Sequence, residues 1–95
     1  MDKLADLTPG SNATIKGEVI EKEDTREIVT RYGRRTNVAN AKLKCEDGEI
    51  KLTLWGDDID KVKVGDTVTI ENGWVTEFRG ELQISLGKNG KLTVE

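Results

Sequence analysis

Three side chains that could bind a planar ring or an anion lie close together in residues 71–80, ENGWVTEFRG. Trp74, Phe78 and Arg79 fall within six positions of a 95-residue chain that has two Trp, one Tyr and one Phe in all. Aromatic rings stack on planar groups, and a guanidinium binds phosphate or carboxylate. The question is which elements hold these side chains and whether they face solvent together.

Basic side chains are concentrated in another part of the chain. The formal net charge is −3, but residues 26–44 contain six basic side chains against one acid, so this segment carries +5 and the rest −8. The six are Arg26, Arg31, Arg34, Arg35, Lys42 and Lys44. Such a local positive field suits an anionic partner such as nucleic acid. An ordinary solvated loop and strand would explain the same charges, and charge alone does not separate the two interpretations.

Residue types give little support for catalysis or metal binding. The chain has no His and one Cys, Cys45, so it cannot form an internal disulfide or a Cys/His zinc site. We expect Cys45 to be a small core residue. Asp57, Asp58 and Asp60 could bind Mg²⁺, but helix capping and solvation explain acidic residues at a helix start. We therefore expect no enzyme, no cofactor and no metal ion.

Length and apolar pattern indicate one domain over residues 1–95 and no membrane partner. A chain of 95 residues can bury one small core. No apolar run approaches the roughly 20 residues of a spanning helix, and MDKLADLTPG lacks the apolar centre of a signal peptide. We expect a cytoplasmic protein.

Apolar residues alternate along most of the chain, which predicts β-strands. The first strand is long, covers residues 13–23 with Gly17 at a sharp bend, and has residues 27–30 as a candidate continuation. Asp47-Gly48 indicates a hairpin turn between the second and third strands. The fourth and fifth strands are joined through Arg79-Gly80, and a short last strand follows.

Two connections complete the predicted architecture. Residues 31–35, RYGRR, form an exposed basic turn with Tyr32 at its tip. Residues 56–66, GDDIDKVKVGD, form a short helix or turn that Asp57 or Asp58 could cap and Gly65 could end. Five short strands with this helix between the third and fourth predict an all-β, Greek-key barrel of the oligonucleotide/oligosaccharide-binding (OB) kind. An SH3-like barrel has a similar strand count, but the helix and the long bent first strand favour the OB fold.

The phase of the alternation decides where the tryptophans point. A two-residue turn at Asp47-Gly48 would place three pairs opposite one another, away from the core: Lys44 with Lys51, Lys42 with Thr53, and Asn40 with Trp55. Trp55 would then lie outside, unless it folds under the Gly56 loop. Counting every second residue from Ile70 places Trp74 on the inward face, and only a bulge at Asn72-Gly73 would turn it outward. We predict that bulge.

Four segments, in order, resemble the single-stranded DNA-binding domains of archaeal replication protein A and the related short archaeal single-stranded DNA-binding proteins. They are LADLTPGS, EDGEIKLTLWGDD, VGDTVTIENGWVTEFRG and ELQISLGKNGKL, which together span nearly the whole chain. The resemblance implies an OB fold whose outer aromatic side chains stack on unpaired bases. The matching positions are Trp55, Trp74 and Phe78.

Binding of a single strand without sequence choice also requires cations for the phosphates. We assign phosphate contacts to Arg31, Arg34, Arg35, Lys42, Lys44, Lys51 and Arg79, with Arg26, Tyr32 and Lys88 at the edges of the site. The resemblance implies a nucleoid-associated role in DNA replication, recombination and repair. A docking module for an acidic peptide and a barrel that binds folded RNA are the alternatives.

The chain departs from the family in two respects. Cys45-Glu46-Asp47-Gly48 replaces the acidic-Thr-Gly turn that usually precedes the third strand, a change that should preserve the hairpin. The chain also lacks the Gly/Arg-rich or acidic tail of the short proteins and the further barrels and zinc motif of the long ones. We therefore expect an excised or truncated domain whose partners include other domains of a longer replication protein A.

Overall fold

The computed structural model describes residues 2–87 and 89–95. Those residues contain a 3-10 turn, seven strands and one short helix. In chain order these are the 3-10 turn Leu4–Asp6, β1 Asn12–Lys22, β2 Arg26–Val29, β3 Arg35–Cys45, β4 Gly48–Trp55, α1 Asp58–Lys61, β5 Thr67–Phe78, β6 Glu81–Ser85 and β7 Lys91–Val94.

Five of the strands form a closed barrel. Their order is β1-β3-β4-β6-β5, and β5 pairs again with β1 to close the sheet. The β4–β6 pair is parallel and the other four pairs are antiparallel. The short helix α1 lies between β4 and β5, the third and fourth barrel strands. This order confirms the predicted OB barrel, to which β2 and β7 add short outer strands on β3 and β5.

The barrel core consists of the apolar side chains that alternate along the strands. Fifteen buried residues form one cluster, and Cys45, Leu82 and Leu86 are partly buried against it. The cluster contains Ala13, Ile15, Val19, Ala39, Ala41, Leu43, Ile50, Leu52, Leu54, Ile59, Val62, Val68, Ile70, Val75 and Ile84. The alternating apolar residues of the strands thus supply the core as predicted, whereas Cys45, predicted to be a small core residue, is only partly buried at its edge.

Gly17 allows β1 to bend between two neighbours. Up to Glu18 the strand pairs with β5, and from Glu18 onward it pairs with β3. A Cβ atom on Gly17 would lie 2.9 Å from the Cys45 sulfur and 3.0 Å from the Lys44 carbonyl oxygen. Because real Cβ atoms are almost never this close to other atoms, a side chain at Gly17 would push β1 away from β3.

Strand β2 continues the path of β1 along the same edge of β3. The β1–β3 register shifts between Val19 and Glu21, and pairing resumes with β2 at Arg26 opposite Val38. The first strand thus continues as predicted, but in two pieces separated by residues 23–25. Strand β2, the following turn and the start of β3 form a hairpin over residues 26–38, named here the hairpin arm.

The helix α1 differs from the prediction at both ends. The Asp57 side chain makes no capping hydrogen bond, and Asp58 pairs instead with Lys61 at 3.4 Å. The helix ends at Lys61, before Gly65, and the Lys22 ammonium donates to the Ile59 and Val62 carbonyl oxygens at 2.5 and 2.8 Å. A cation at a helix C-terminus satisfies carbonyl groups that have no partner within the helix.

The prediction that Asp47-Gly48 forms the β3–β4 turn is wrong by one residue. Cys45 pairs with Gly48, so the turn residues are Glu46 and Asp47. One contact and one backbone conformation favour this turn. The Asp47 carboxylate accepts a 2.8 Å hydrogen bond from the Leu4 N–H, and Gly48 adopts φ +146°, which side chains disfavour. Every residue keeps its predicted face, but the pairs become Lys42 with Lys51, Asn40 with Thr53, Val38 with Trp55, and Lys44 with Glu49.

Candidate nucleic-acid interface

One continuous surface is formed by side chains that point away from the core on four neighbouring strands. This surface, named here the outer face, contains Asn40 and Lys42 from β3, Lys51, Thr53 and Trp55 from β4, Gln83 and Ser85 from β6, and Trp74, Thr76 and Phe78 from β5. Thr53 pairs with Ser85, and Ser85 pairs with Trp74. The two tryptophans therefore lie on the strands either side of β6, with Trp55 two residues farther along β4 than the level of Trp74, which places them roughly 12 Å apart.

Trp55 reaches the outer face through uninterrupted alternation. Leu52 and Leu54 point into the core, and Trp55, the last residue of β4, is 42% exposed. Val38 lies directly opposite on the same face and is buried although it is outside the core cluster. Cross-strand neighbours of this kind pack against one another, so we expect Val38 to contact the Trp55 indole.

Trp74 reaches the same face through a bulge, as predicted. The β1–β5 register shifts between Ala13 and Ile15, which leaves one extra residue in β5. Asn72 adopts φ +54° and Gly73 is buried, pointing inward. Val75 is consequently buried and Trp74 is 41% exposed.

Two side chains of β1 hold the bulge in place. The Asn72 N–H donates to the Thr14 hydroxyl oxygen at 3.1 Å, and the Asn12 amide donates to the Asn72 carbonyl oxygen at 3.4 Å. A Cβ atom on Gly73 would lie 2.7 Å from Ile70 Cγ2 and 2.8 Å from two Ile84 carbons. The outward direction of Trp74 thus depends on Asn at position 72, Gly at 73 and hydrogen bonds from the neighbouring strand.

Phe78 and Arg79 lie at the β5–β6 turn. Arg79 and Gly80 both have positive φ, +53° and +81°, as a two-residue hairpin turn requires. Phe78 is 59% exposed, and the Arg79 guanidinium carbon lies 5.2 Å from its ring centre. This cation–π contact places a positive charge beside an aromatic face.

The predicted phosphate-binding residues of the sheet have different surroundings. Lys42 and Lys51 are directly opposed, and Lys42 also lies 3.9 Å from the Glu21 carboxylate. Lys44 has glutamates as both cross-strand partners, Glu18 and Glu49. Lys51 makes no ion pair with the residues that the structure describes. Of the three lysines, only Lys51 has no acidic cross-strand partner, since it faces Lys42 and Gln83.

The hairpin arm divides its cations between two sides. Because Val38 shares a face with Trp55, its partner Arg26 and the pair Ile28–Thr36 also lie on the side of the outer face. Arg35 lies on the reverse side, where its guanidinium is 3.9 Å from Glu27. Arg26 was predicted only as an edge contact, since its place on this side depends on the irregular pairing of β1, which the alternation does not reveal.

The tip of the arm is exposed and basic. Arg31, Tyr32 and Arg34 all face solvent, and Tyr32 is 83% exposed. The Thr30 N–H donates to the Arg34 carbonyl oxygen at 2.8 Å, which closes the turn. The structure brings these residues to the arm and not to the outer face itself. Lys88, predicted as an edge contact, lies outside the described residues.

Acidic side chains and the one thiol are the groups that metal binding or nucleophilic chemistry would use in this chain. Within residues 2–87 and 89–95, no three or more His, Cys, Asp or Glu side chains are arranged to hold a metal ion. Burial raises the pKa of the Cys45 thiol, and the nearby Asp47 charge raises it further. This thiol is consequently neutral near pH 7 and a poor nucleophile. No helix in the same residues is long and apolar enough to cross a membrane.

The barrel and its outer face place the chain in a known class. Residues 8–94 match the family described as single-stranded DNA binding protein Ssb-like, OB fold, and the chain belongs to that family. A similar protein is the single-stranded DNA binding protein Ssb of Saccharolobus solfataricus, 37% identical over 94 residues that cover 96% of this chain and 62% of the relative. The replication factor A of Methanothermobacter thermautotrophicus is 28% identical over 76% of this chain, but only 10% of its own length is matched.

Solved structures show the same fold. The second OB-fold domain of replication protein A from Methanococcus maripaludis is 28% identical, with a TM-score of 0.81 over 98% of this chain and 92% of that domain. The present chain spans less than two thirds of both curated relatives, 62% of one and 10% of the other. It therefore aligns with only part of the length of each of these relatives.

Proposed function

We propose that this barrel, as a single domain, binds single-stranded DNA with little sequence choice, in replication, recombination and repair. The observation that carries the proposal is the placement of Trp55, Trp74 and Phe78, all exposed, on one face of the sheet. Unpaired bases stack on such aromatic rings whatever their identity, because every base has a π-face. Bases in a duplex already stack on one another, so duplex DNA is a poor competitor.

In this proposal the phosphates of the bound strand contact Lys and Arg side chains that surround these aromatic rings. Lys51 lies among them, Arg79 lies beside Phe78, and the hairpin arm adds Arg26, Arg31 and Arg34 beyond Trp55. We assign smaller contributions to Arg35, Lys42 and Lys44, because carboxylates oppose each of them. Tyr32 and Lys88 remain proposed edge contacts.

We propose further that the domain has a non-enzymatic role in the cytoplasm, at the nucleoid. The family to which the chain belongs is named for single-stranded DNA binding. The structure of the second OB-fold domain of replication protein A supports a further proposal, that this barrel works beside other domains of a longer protein.

The decisive experiment is a titration of intrinsic tryptophan fluorescence with a short oligothymidine at two salt concentrations. We expect stacking to quench both tryptophans and salt to weaken binding, with a slope of about −0.7 in the logarithmic plot for each phosphate contact. Absence of quenching, with the protein folded, would reject the proposal. A hairpin duplex of the same strand length is the control and should bind far more weakly.

The same assay separates the two alternative partners. An acidic peptide would compete for the basic residues without stacking, so it should not quench the tryptophans even if it binds. A folded RNA would displace the oligothymidine only if the barrel recognises its shape. Tighter binding of either competitor than of the single strand would replace DNA as the proposed ligand.

A further inference from the structure

A chain of hydrogen bonds connects Glu23 to the centre of the outer face. The Asn40 amide donates to a Glu23 carboxylate oxygen at 3.3 Å, and the Thr53 hydroxyl donates to the Asn40 side-chain oxygen at 3.3 Å. The Glu23 N–H also donates to the Asn40 carbonyl oxygen at 2.8 Å, which holds the two residues side by side. Thr53 at the other end lies two residues from Trp55 and opposite Ser85.

Chemistry fixes the direction of this chain of hydrogen bonds. An ionised carboxylate can only accept, so Asn40 must turn its NH₂ group toward Glu23. The Asn40 side-chain oxygen then faces Thr53, and the Thr53 hydroxyl donates its proton to that oxygen. A threonine hydroxyl has one proton, so toward a bound ligand Thr53 offers only lone pairs. Without Glu23 the amide could turn around, and Thr53 could donate instead.

A hydrogen-bond acceptor at Thr53 can distinguish bases by the substituent at one ring position. At position 4 cytosine carries an amino group, which donates, whereas thymine carries a carbonyl oxygen, which accepts. An amino group facing Thr53 gains a hydrogen bond, whereas a carbonyl oxygen brings two acceptors together. The neighbouring outer-face side chains Ser85 and Lys51 can both donate, so they do not impose this preference.

We propose that Thr53 is a specificity-determining residue that favours an amino-bearing base over thymine between Trp55 and Trp74, with Glu23 and Asn40 as positioning residues. The inference rests on the proposed binding of single-stranded DNA by the outer face. Stacking remains indifferent to sequence, and Thr53 adds a preference at one nucleotide position. The expected advantage of cytosine over thymine there is about two- to tenfold in affinity, the typical net value of one hydrogen bond.

The test compares oligothymidine with otherwise identical strands that carry one dC, moved through each position in turn. The ratio of the two affinities is the readout, because a merely structural role would change both affinities together. For the parent protein we expect at least one dC position to give a ratio of about two to ten. Thr53→Val keeps the branched shape but removes the acceptor, and should bring that ratio to about one. Thr53→Ser keeps the hydroxyl and should retain the ratio.

Variants of the two neighbouring glutamates test the positioning role. Glu23→Ala should lower the ratio, and Glu23→Gln, which keeps a carbonyl acceptor, should restore most of it. Glu21→Ala removes a nearby carboxylate that pairs with Lys42 and is the matched control. It should tighten binding to both strands and leave the ratio unchanged.

Three results would overturn the inference. They are a parent ratio of one or below at every position, an unchanged ratio in Thr53→Val, or equal effects of Glu21→Ala and Glu23→Ala on the ratio. Each of these leaves the proposed function intact as long as oligothymidine binds the parent. A parent that binds no single strand would instead reject the proposed function, and the inference with it.

Discussion

The two tryptophans have nearly the same exposure, 42% and 41%, but reach it through different backbone structures. Trp55 follows the regular alternation of β4, so any sequence that makes this strand with the same core face presents it outward. Trp74 points outward because β5 contains one extra residue, which requires Asn72 in a left-handed conformation and a buried Gly73. The two tryptophans are therefore equally accessible but should differ in their tolerance to nearby mutations. Backbone changes of the kind that displace Trp74 should leave Trp55 in place.

The sharpest test compares stability with binding for the tryptophans and a core neighbour. Leu52 is fully buried in β4, so Leu52→Ala should lower the free energy of unfolding by about 2–5 kcal/mol. Trp55→Ala and Trp74→Ala should each weaken oligothymidine binding by about 1–3 kcal/mol with little change in melting temperature. Phe78→Ala should behave in the same way with a smaller effect.

Thermal melts and fluorescence or anisotropy titrations of the four variants check this prediction. A tryptophan variant that melts far below the parent, while its folded fraction binds normally, would remove that residue from the stacking assignment.

The glycines beside the two tryptophans should differ in what alanine does. In Gly73→Ala the new methyl group would meet Ile70 and Ile84 carbons at 2.7–2.8 Å, which should cost about 1–3 kcal/mol and also displace Trp74. At Gly56, after Trp55, φ is +57° but no atom lies within 4 Å of the added methyl. Gly56→Ala should therefore cost only backbone strain, about 1–2 kcal/mol, with normal binding.

Chemical denaturation and oligothymidine titration of both variants measure the difference. Binding that is lost equally in the two variants would contradict the view that only Trp74 depends on a special backbone conformation.

A smaller effect is expected when the support of the bulge is removed. Thr14→Val deletes the hydroxyl that accepts from the Asn72 N–H, which should cost about 0.5–1.5 kcal/mol of stability. Hydrogen exchange of the Asn72 and Gly73 amides should accelerate, while exchange in β4 should not change. Thr36→Val, on the hairpin arm near Trp55, is the matched control. Faster exchange throughout the barrel would mean that Thr14 supports the fold in general and not the bulge.

The smallest predicted effects are changes in the salt dependence of single-strand binding, and they concern the cations of the hairpin arm beyond Trp55. Arg26→Ala should reduce the magnitude of the salt slope by about 0.7, because Arg26 lies on the outer-face side of the hairpin arm. Arg35→Ala, on the reverse side beside Glu27, should leave the slope almost unchanged. The opposite result would indicate that the strand follows the reverse side of the arm.

Alternation was sufficient to predict the strands, their core face and the outward direction of Trp55, because a half-buried strand leaves a period of two in the sequence. The choice of an OB barrel also required the short helix and the long bent first strand. The bulge at Asn72-Gly73 was predictable as well, since Asn and Gly tolerate positive φ and Val75 is out of phase with Ile70. The residue pairs between β3 and β4 were not predictable. The position of the turn involves the hydrogen bond from the Leu4 N–H to the Asp47 carboxylate, and Leu4 is remote in sequence. Which residues of the hairpin arm lie on the side of the outer face likewise depends on the irregular pairing of β1, which leaves no periodic signal in the sequence.

The position of β6 between the tryptophans has a consequence for folding kinetics. Strand β6 follows both tryptophans in the chain, yet it inserts between β4 and β5 and makes a parallel pair with β4. Contacts between residues far apart in sequence form slowly, because the chain must first close a long loop. Trp55 and Trp74 share one continuous face only when β6 is paired with both β4 and β5, so in a refolding experiment we expect the ability to bind to emerge with the closure of the barrel.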